Sequence, residues 1–294
     1  PNRCTYCFND AYNTMYRDEA GERKIFHSRS PESIIAEILD LQRTTRLRMV
    51  GFVDDVFTLD KGWVFAFAEA YASRCAIPFS MNARFESLTE DVVAALAGAG
   101  LRLVYCGVES GDEYIRNRVM LRRMGEEVML AAAERCRKYG VKIITENIIG
   151  LPGESYEAAL RTLELNTRVR PNLANASLFA PYPKLPLTRY AAEHGYFSGD
   201  YDLLRQNYYH ESALRFESDV ERNRILNLRC FFSLLAHHPR LLPLLSPLLR
   251  LPPNPVFRLI GDLIDGYYIR TCVAYRMTAA DSFRTLRHYL AFYR

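Results

Sequence analysis

Two cysteines two residues apart open the chain, in Cys4-Thr5-Tyr6-Cys7. Thiolates at this spacing can bind one iron–sulfur cluster or one zinc ion, or act as a redox pair. Further along, acidic residues accompany short apolar runs: Asp54 and Asp55 after Met49–Val53, Glu109 after Leu103–Cys106, and Glu146 within Lys142–Ile149. A carboxylate beside apolar strand residues is costly unless it finds a partner, so each is a candidate ligand-facing group. Arg84 and Arg122 carry planar donor forks that suit a carboxylate. Plainer readings stand beside these. Asp54 and Asp55 could cap the helix beginning near Asp60, and an arginine is more often a surface residue. Gly150-Leu151-Pro152-Gly153 also reads as turn chemistry.

The elements that would position these groups follow an α/β rhythm from about residue 48 to 179. Strands are expected at Met49–Val53, Phe79–Met81, Leu103–Cys106, Lys142–Ile149 and Ala176–Phe179. Helices are expected between them. Ser30-Pro31-Glu32 caps Ile34–Leu41, Thr89-Glu90-Asp91 opens Val92–Ala97, Glu126–Tyr139 ends at Gly140, and Tyr156–Val169 ends before Pro171. Such alternation implies parallel strands with crossover helices, in either a doubly wound sheet or a (β/α) barrel. Periodicity does not separate the two. Beyond the loop marked by Pro181, Pro183 and Pro186, the chain reads as helical at Ala191–His194, Glu221–His237, Val256–Ile269 and Ala279–Tyr293. The boundary falls near 196–218, dividing a 1–200 domain from a helical 201–294 region.

The string Pro1-Asn2-Arg3-Cys4-Thr5-Tyr6-Cys7-Phe8 resembles the signature Cys-x3-Cys-x2-Cys of the radical S-adenosylmethionine enzymes. The resemblance extends over about residues 1–195. Phe52-Val53-Asp54-Asp55-Val56-Phe57, Met81-Asn82-Ala83-Arg84, Gly107-Val108-Glu109-Ser110-Gly111, Ile148-Ile149-Gly150-Leu151-Pro152-Gly153-Glu154-Ser155 and Ala180-Pro181-Tyr182-Pro183 resemble successive strand exits of that family, in order. It implies an α/β fold: a partial (β/α) TIM-like barrel lacking its first strand, followed by a helical C-terminal region. On this alignment the signature's first cysteine would stand just before Pro1. The chain is therefore expected to be an N-terminally truncated fragment, inactive as given.

The resemblance also implies cofactors and roles. Cys4 and Cys7 would bind a 4Fe–4S cluster. S-adenosylmethionine (SAM) would be cleaved there reductively to a 5′-deoxyadenosyl radical that abstracts hydrogen from a substrate. Asp54 or Asp55 would accept from the methionine ammonium. Glu109 and Glu146 would face the ribose hydroxyls or the amino group, supported by Ser110. Arg84 or Arg122 would pair with the carboxylate, with Asn82 nearby. The backbone around Tyr6 and Phe179-Ala180 would edge the adenine, and Gly150 and Gly153 would let backbone approach the nucleoside. The motif combination looks like the cobalamin-dependent branch, many of whose members are methyltransferases. Cobalamin would be held by a domain preceding the barrel. No residue is singled out as catalytic.

Composition narrows the partners. The 294 residues carry a net charge of +4 without a basic run, which gives nucleic-acid binding no support. Seven cysteines, mostly scattered, argue against a disulfide scaffold and for a reducing, cytoplasmic setting. Cys75, Cys106, Cys136, Cys230 and Cys272 have no metal-ligand spacing and are expected in the core. The most apolar stretch, Leu241–Leu251, is interrupted by Pro243 and Pro247 and is too short to span a bilayer. The expected partners are a small-molecule substrate and a reductant such as flavodoxin or ferredoxin. Two rival readings are a zinc or redox module using Cys4 and Cys7, and a degenerate barrel that binds without catalysing.

Overall fold

The computed structural model describes residues 3–18, 21, 27–204, 211–275, 277–278, 281 and 284. After α1 (Phe8–Asp18) and α2 (Pro31–Thr44), strand and helix alternate: β1 (Val50–Gly51), α3 (Lys61–Arg74), β2 (Phe79–Ala83), α4 (Glu90–Ala99), β3 (Leu101–Glu109), α5 (Glu126–Lys138), β4 (Lys142–Ile149), α6 (Tyr156–Val169) and β5 (Leu173–Leu178). All neighbouring strands pair in parallel, in the order β1-β2-β3-β4-β5. A doubly wound sheet reverses its order at a switch point. This one never does, so its crossover helices all lie on one face and the strands form an arc of a (β/α) barrel.

Local chemistry sets the helix ends. The Ser30 hydroxyl accepts from Ser33 N ahead of Pro31, and Ser155 accepts from Ala158 N. Gly100, at φ +117°, ends α4. Asp60 caps α3 itself by accepting from Trp63 N, so Asp54 and Asp55 are not its caps. On the outer face, Val104, Cys106 and Val108 of β3 pack with Met129, Ala132 and Cys136 of α5. Cys106, Cys136, Cys230 and Cys272 are buried and Cys75 is partly so, as expected of small core residues.

Among the described residues, four α-helices follow: α7 (Pro186–Glu193), α8 (Asp219–His237), α9 (Leu242–Leu249) and α10 (Pro255–Cys272). The predicted segment Ala279–Tyr293 lies outside the described residues except at Asp281 and Arg284. α8 shares an apolar cluster with β5 and α6, and Arg229 Nε donates to Ala176 O of the edge strand at 3.2 Å. α10 lies on the concave side, where Ile264, Tyr268 and Cys272 meet Leu103, Ile144 and Leu173. His237 ends α8 with Nδ1 bonded to Ser233 O and its ring stacked on Tyr268. No helix among the described residues is long and apolar enough to cross a membrane.

α8 and α10 pack tightly at Gly261. A Cβ there would stand 2.9 Å from Cys230 O and 3.0 Å from Cys230 Cα, both backbone atoms. Gly261→Ala is therefore expected to destabilise the chain by about 1–3 kcal/mol, read from denaturant unfolding.

Candidate active site at the strand ends

Cys4 and Cys7 sit on one tight turn, closed by Cys7 N donating to Cys4 O at 3.2 Å. Cys4 is buried and Cys7 half-buried. The turn is held from two sides. Thr5 N donates to Met120 O (3.1 Å) and Thr5 Oγ1 to Val119 O (2.8 Å), while Leu187 N of α7 donates to Thr5 O (3.0 Å). Burial pushes the Cys7 thiol above its ordinary range, and the neighbouring Cys4, Asp55 and Glu109 push it further. Cys7 thus lies within electrostatic reach of Asp55, after β1, and of Glu109, at the end of β3.

The segment opposite the cysteines departs from regular geometry. Ile115–Val119 forms a single π-helical turn, and the non-glycine residues Leu121 and Arg123 adopt φ +52° and +54°. The alternation turns Arg122 inward. Its Nη2 donates to Gly107 O (2.6 Å), its Nη1 donates to Tyr6 OH (3.1 Å), and Nη1 lies 3.5 Å from Glu109 Oε1. Tyr6 in turn donates to Glu109; burial first, and then the Glu109 charge, raise its hydroxyl well above the usual range. Burial alone would lower Arg122, but Glu109, Tyr6 and Cys4 together hold it above its ordinary value. Glu109 itself stands at φ +67°. One guanidinium therefore ties the cysteine turn to the end of β3.

Gly107 makes room for this web. A Cβ there would fall 2.0 Å from Glu109 Oε1 and 3.0 Å from Arg122 Nη2. Because the obstructed groups are side-chain ends, Gly107→Ala should fold but displace Glu109. The expected loss of ligand affinity at the mouth is about tenfold or more, with a much smaller change in unfolding midpoint. Calorimetry beside thermal unfolding checks it.

Other predicted residues fall into place differently. Asn82 Nδ2 donates to Asp54 O (3.0 Å) and Asn82 O accepts from Phe57 N, so Asn82 shapes the turn that presents the exposed Asp54 and Asp55. Phe179 is buried in the apolar cluster that Tyr6 packs against, next to the half-buried Ala180. Glu146 Oε2 accepts from Asn175 Nδ2 at 2.6 Å. Burial pushes the Glu146 carboxyl up to about 7, and Glu109 and Asp265 add to this against the Asn175 bond.

Further expected residues make contacts of their own within the protein. The Ser110 hydroxyl accepts from Asp112 N, capping the next turn, and its carbonyl accepts from the buried Arg116. Arg84 pairs with Glu86, two residues on, with Nε–Oε1 at 2.6 Å, and its Nη2 donates to Arg122 O at 3.3 Å, which places it beside the Arg122 web. Gly150 and Gly153, at φ +67° and +75°, serve the turn, and a Cβ on either would meet protein: Ile225, Leu178 and Phe216 for the first, the Tyr196 hydroxyl for the second. Glu154 closes that turn by accepting from Leu151 N at 3.1 Å. Arg116, Asn175, Glu154 and Asp265 were not singled out from sequence. Asn175 stood one residue outside the expected strand, whose alternation would have revealed it.

Two soft thiolate donors on one turn suit an iron–sulfur cluster, and among the described residues no His, Asp or Glu completes a group of three with them. Beside them, Arg122 Nε is buried with no hydrogen-bond partner.

Comparison with known proteins agrees. The family model described as the Radical SAM superfamily matches residues 1–165. An uncharacterized methyltransferase of Pyrococcus horikoshii is 24% identical over 192 residues, which are 65% of this chain and 40% of that protein. A probable threonylcarbamoyladenosine tRNA methylthiotransferase of Pyrococcus abyssi is 36% identical over 88 residues, 28% of this chain and 20% of the relative. Among solved structures, the radical S-adenosylmethionine methyltransferase TsrM of Kitasatospora setae, with cobalamin and a 4Fe–4S cluster bound, superposes with a TM-score of 0.55 at 17% identity. That match covers 66% of this chain and 37% of TsrM. The chain thus spans well under half the length of these relatives. With a family match over more than half its residues, on a chain whose parallel strands form an arc of a barrel, the chain belongs to the radical S-adenosylmethionine superfamily.

Proposed function

We propose that this chain is the barrel of a cobalamin-dependent radical SAM methyltransferase acting on a small molecule. The observation that carries the reading is the Arg122 web, which holds the Cys4–Cys7 turn against Glu109 under a mouth flanked by Asp55. Cys4 and Cys7 hold the cluster, which when bound supplies the electron for reductive cleavage of SAM. Asp54 and Asp55, on the exposed turn after β1, take the methionine ammonium. Glu109, oriented by Arg122 and Tyr6, accepts from the ribose hydroxyls. Tyr6 with Phe179 and Ala180 offers an apolar edge to the adenine, and Arg122, beside Glu109, is the candidate partner of the carboxylate. The methyltransferase reading draws on the Pyrococcus horikoshii relative. The cobalamin reading draws on TsrM, with the cofactor contributed from outside this barrel.

The test is anaerobic reconstitution of the full-length protein. About four irons per chain are expected, with SAM binding by calorimetry weakened about tenfold in Glu109→Gln. Zinc without iron would favour the metal-module reading. SAM affinity unchanged in Glu109→Gln would reject the pocket.

A further inference from the structure

Two helices of the C-terminal region are apolar on both sides. Leu242, Leu245 and Leu249 of α9 and Phe257 and Ile264 of α10 turn into the cluster they share with α8. The opposite stripes are exposed. On α9, Leu244 and Leu248, with Leu251 just after the helix, recur one turn apart, and Leu244 is 72% exposed. On α10, Val256, Leu259, Ile260, Leu263 and Tyr267 form a stripe at helical spacing, with Val256 62% and Leu263 54% exposed. Asn227 Nδ2 of α8 donates to both Leu249 O and Leu251 O, which fixes the link between the two helices. A helix apolar all round is normally enclosed, and exposed apolar surface of this extent marks a contact site.

The charges of this region are sorted by sign. From 222 to 261 the chain carries six arginines and no Asp or Glu. The acids that follow on α10, Asp262 and Asp265, turn inward to the buried Arg229, at 4.0 and 3.2 Å. Arg258 is partly covered and pairs with Glu211 at 3.8 Å. Arg240, Arg250 and Arg270 are exposed, so every fully exposed charge between 238 and 272 is an arginine. The apolar part of the face is aliphatic except for Tyr267. Protein interfaces concentrate their energy in Trp, Tyr and Arg and make little use of Leu and Val. A bilayer surface accepts any aliphatic side chain, and its anionic headgroups attract arginine.

We propose that the outer face of α9 and α10 docks the protein on an anionic phospholipid bilayer, with both helices lying along its surface. The exposed leucines, Val256 and Ile260 enter the acyl boundary, and Arg240, Arg250 and Arg270 meet the phosphates. α9 is too short to cross a bilayer, and α10 carries Asp262 and Asp265 midway, so the two lie on the membrane rather than span it. The other side of α10, at Tyr268 and Cys272, packs on Leu103, Ile144 and Leu173. That helix therefore stands between the bilayer and the base of the strand arc. None of these residues belongs to the mouth at Cys7 and Glu109, so the docking face is independent of the SAM reading.

The experiment is co-sedimentation of the full-length protein with vesicles of phosphatidylcholine containing about one-quarter phosphatidylglycerol, beside vesicles of phosphatidylcholine alone, at about 0.1 M salt. The anionic vesicles should be bound about tenfold more tightly or better, because the arginines contribute only where headgroup charge is present. Leu244→Asp combined with Leu263→Asp should cost about tenfold or more on the anionic vesicles. Both side chains are exposed, so the denaturant midpoint of that variant should stay near that of wild type. Arg240→Gln combined with Arg250→Gln should remove most of the preference for the anionic vesicles. Failure of the wild type to sediment with anionic vesicles, or equal binding by wild type and the leucine variant, overturns the proposal. So does a dimer in sedimentation velocity that the leucine substitutions dissolve, which would assign the face to a second copy of the chain.

Discussion

Arg122→Met will destabilise the chain by about 3–5 kcal/mol and abolish SAM binding, the largest effect expected of any single side chain at the mouth. The size follows from what is left behind. Arg122 is 7% exposed and is the cation beside Glu109, itself 9% exposed, so its removal strands a buried carboxylate and the Tyr6 hydroxyl. Gly107 O also loses its 2.6 Å donor. Breaking a buried pair costs far more than the pair contributed, because the surviving charge has nowhere to go. Two controls separate this from general damage. Arg122→Lys keeps the charge but cannot reach Tyr6 and Gly107 with one planar fork, so it should restore part of the stability and little of the binding. Adding Glu109→Gln to Arg122→Met removes the stranded charge and should recover about 1–3 kcal/mol. Denaturant unfolding and calorimetry of all four proteins decide the matter. A single variant within about 1 kcal/mol of wild type would show that the web does not hold the turn.

What the sequence made legible was mostly local. Ser30, Ser155 and the alternating runs of β3 and β4 act within a few residues, and the expected strands lie where the structure has them, with β5 beginning three residues earlier at Leu173. The choice between barrel and doubly wound sheet was not legible, because strand order is a long-range property; the unbroken β1–β5 sequence decides it. The site divides along the same line. Glu109 and the cysteine turn were singled out through motif order. The aim of Arg122 depends on a π-helical turn and two left-handed non-glycine residues, which no pattern of residue types announces. Arg84 and Ser110 each find a partner two residues away, in Glu86 and Asp112, short-range contacts that residue types alone did not announce. Asp265 meets Glu146 only because α10 settles on the concave face, a consequence of packing against Leu103, Ile144 and Leu173.

Stability should fall as pH rises from 5 to 9, contrary to the behaviour of a chain dominated by surface ion pairs. Three carboxyls are pushed up, each chiefly by burial: Glu154 to about 8, Glu146 to about 7 and Asp265 to about 6. A carboxyl raised in the folded state favours folding fully below its unfolded value, near 4.5 for Glu and 3.8 for Asp, and loses that contribution as pH climbs through the folded value. The loss from Glu154 is on the order of 4 kcal/mol between about pH 4.5 and 8. Asp91, held by Lys61, and Asp281, held by the Thr278 backbone, act in the opposite sense. Both are lowered to about 2 and help folding only above their ordinary range, so they limit stability on the acid side alone. Their exposure leaves them open to screening by salt, unlike Glu154. The maximum should therefore lie near pH 5. Glu154→Gln tests the assignment directly, since a glutamine can still accept from Leu151 N but cannot ionise. Its stability should stay flatter from pH 5 to 9 and exceed that of wild type at the alkaline end by roughly 2–4 kcal/mol. Denaturant midpoints that do not move with pH in the wild type, or that move equally in the variant, would mean that the Gly150–Glu154 turn carries an ionised carboxylate after all.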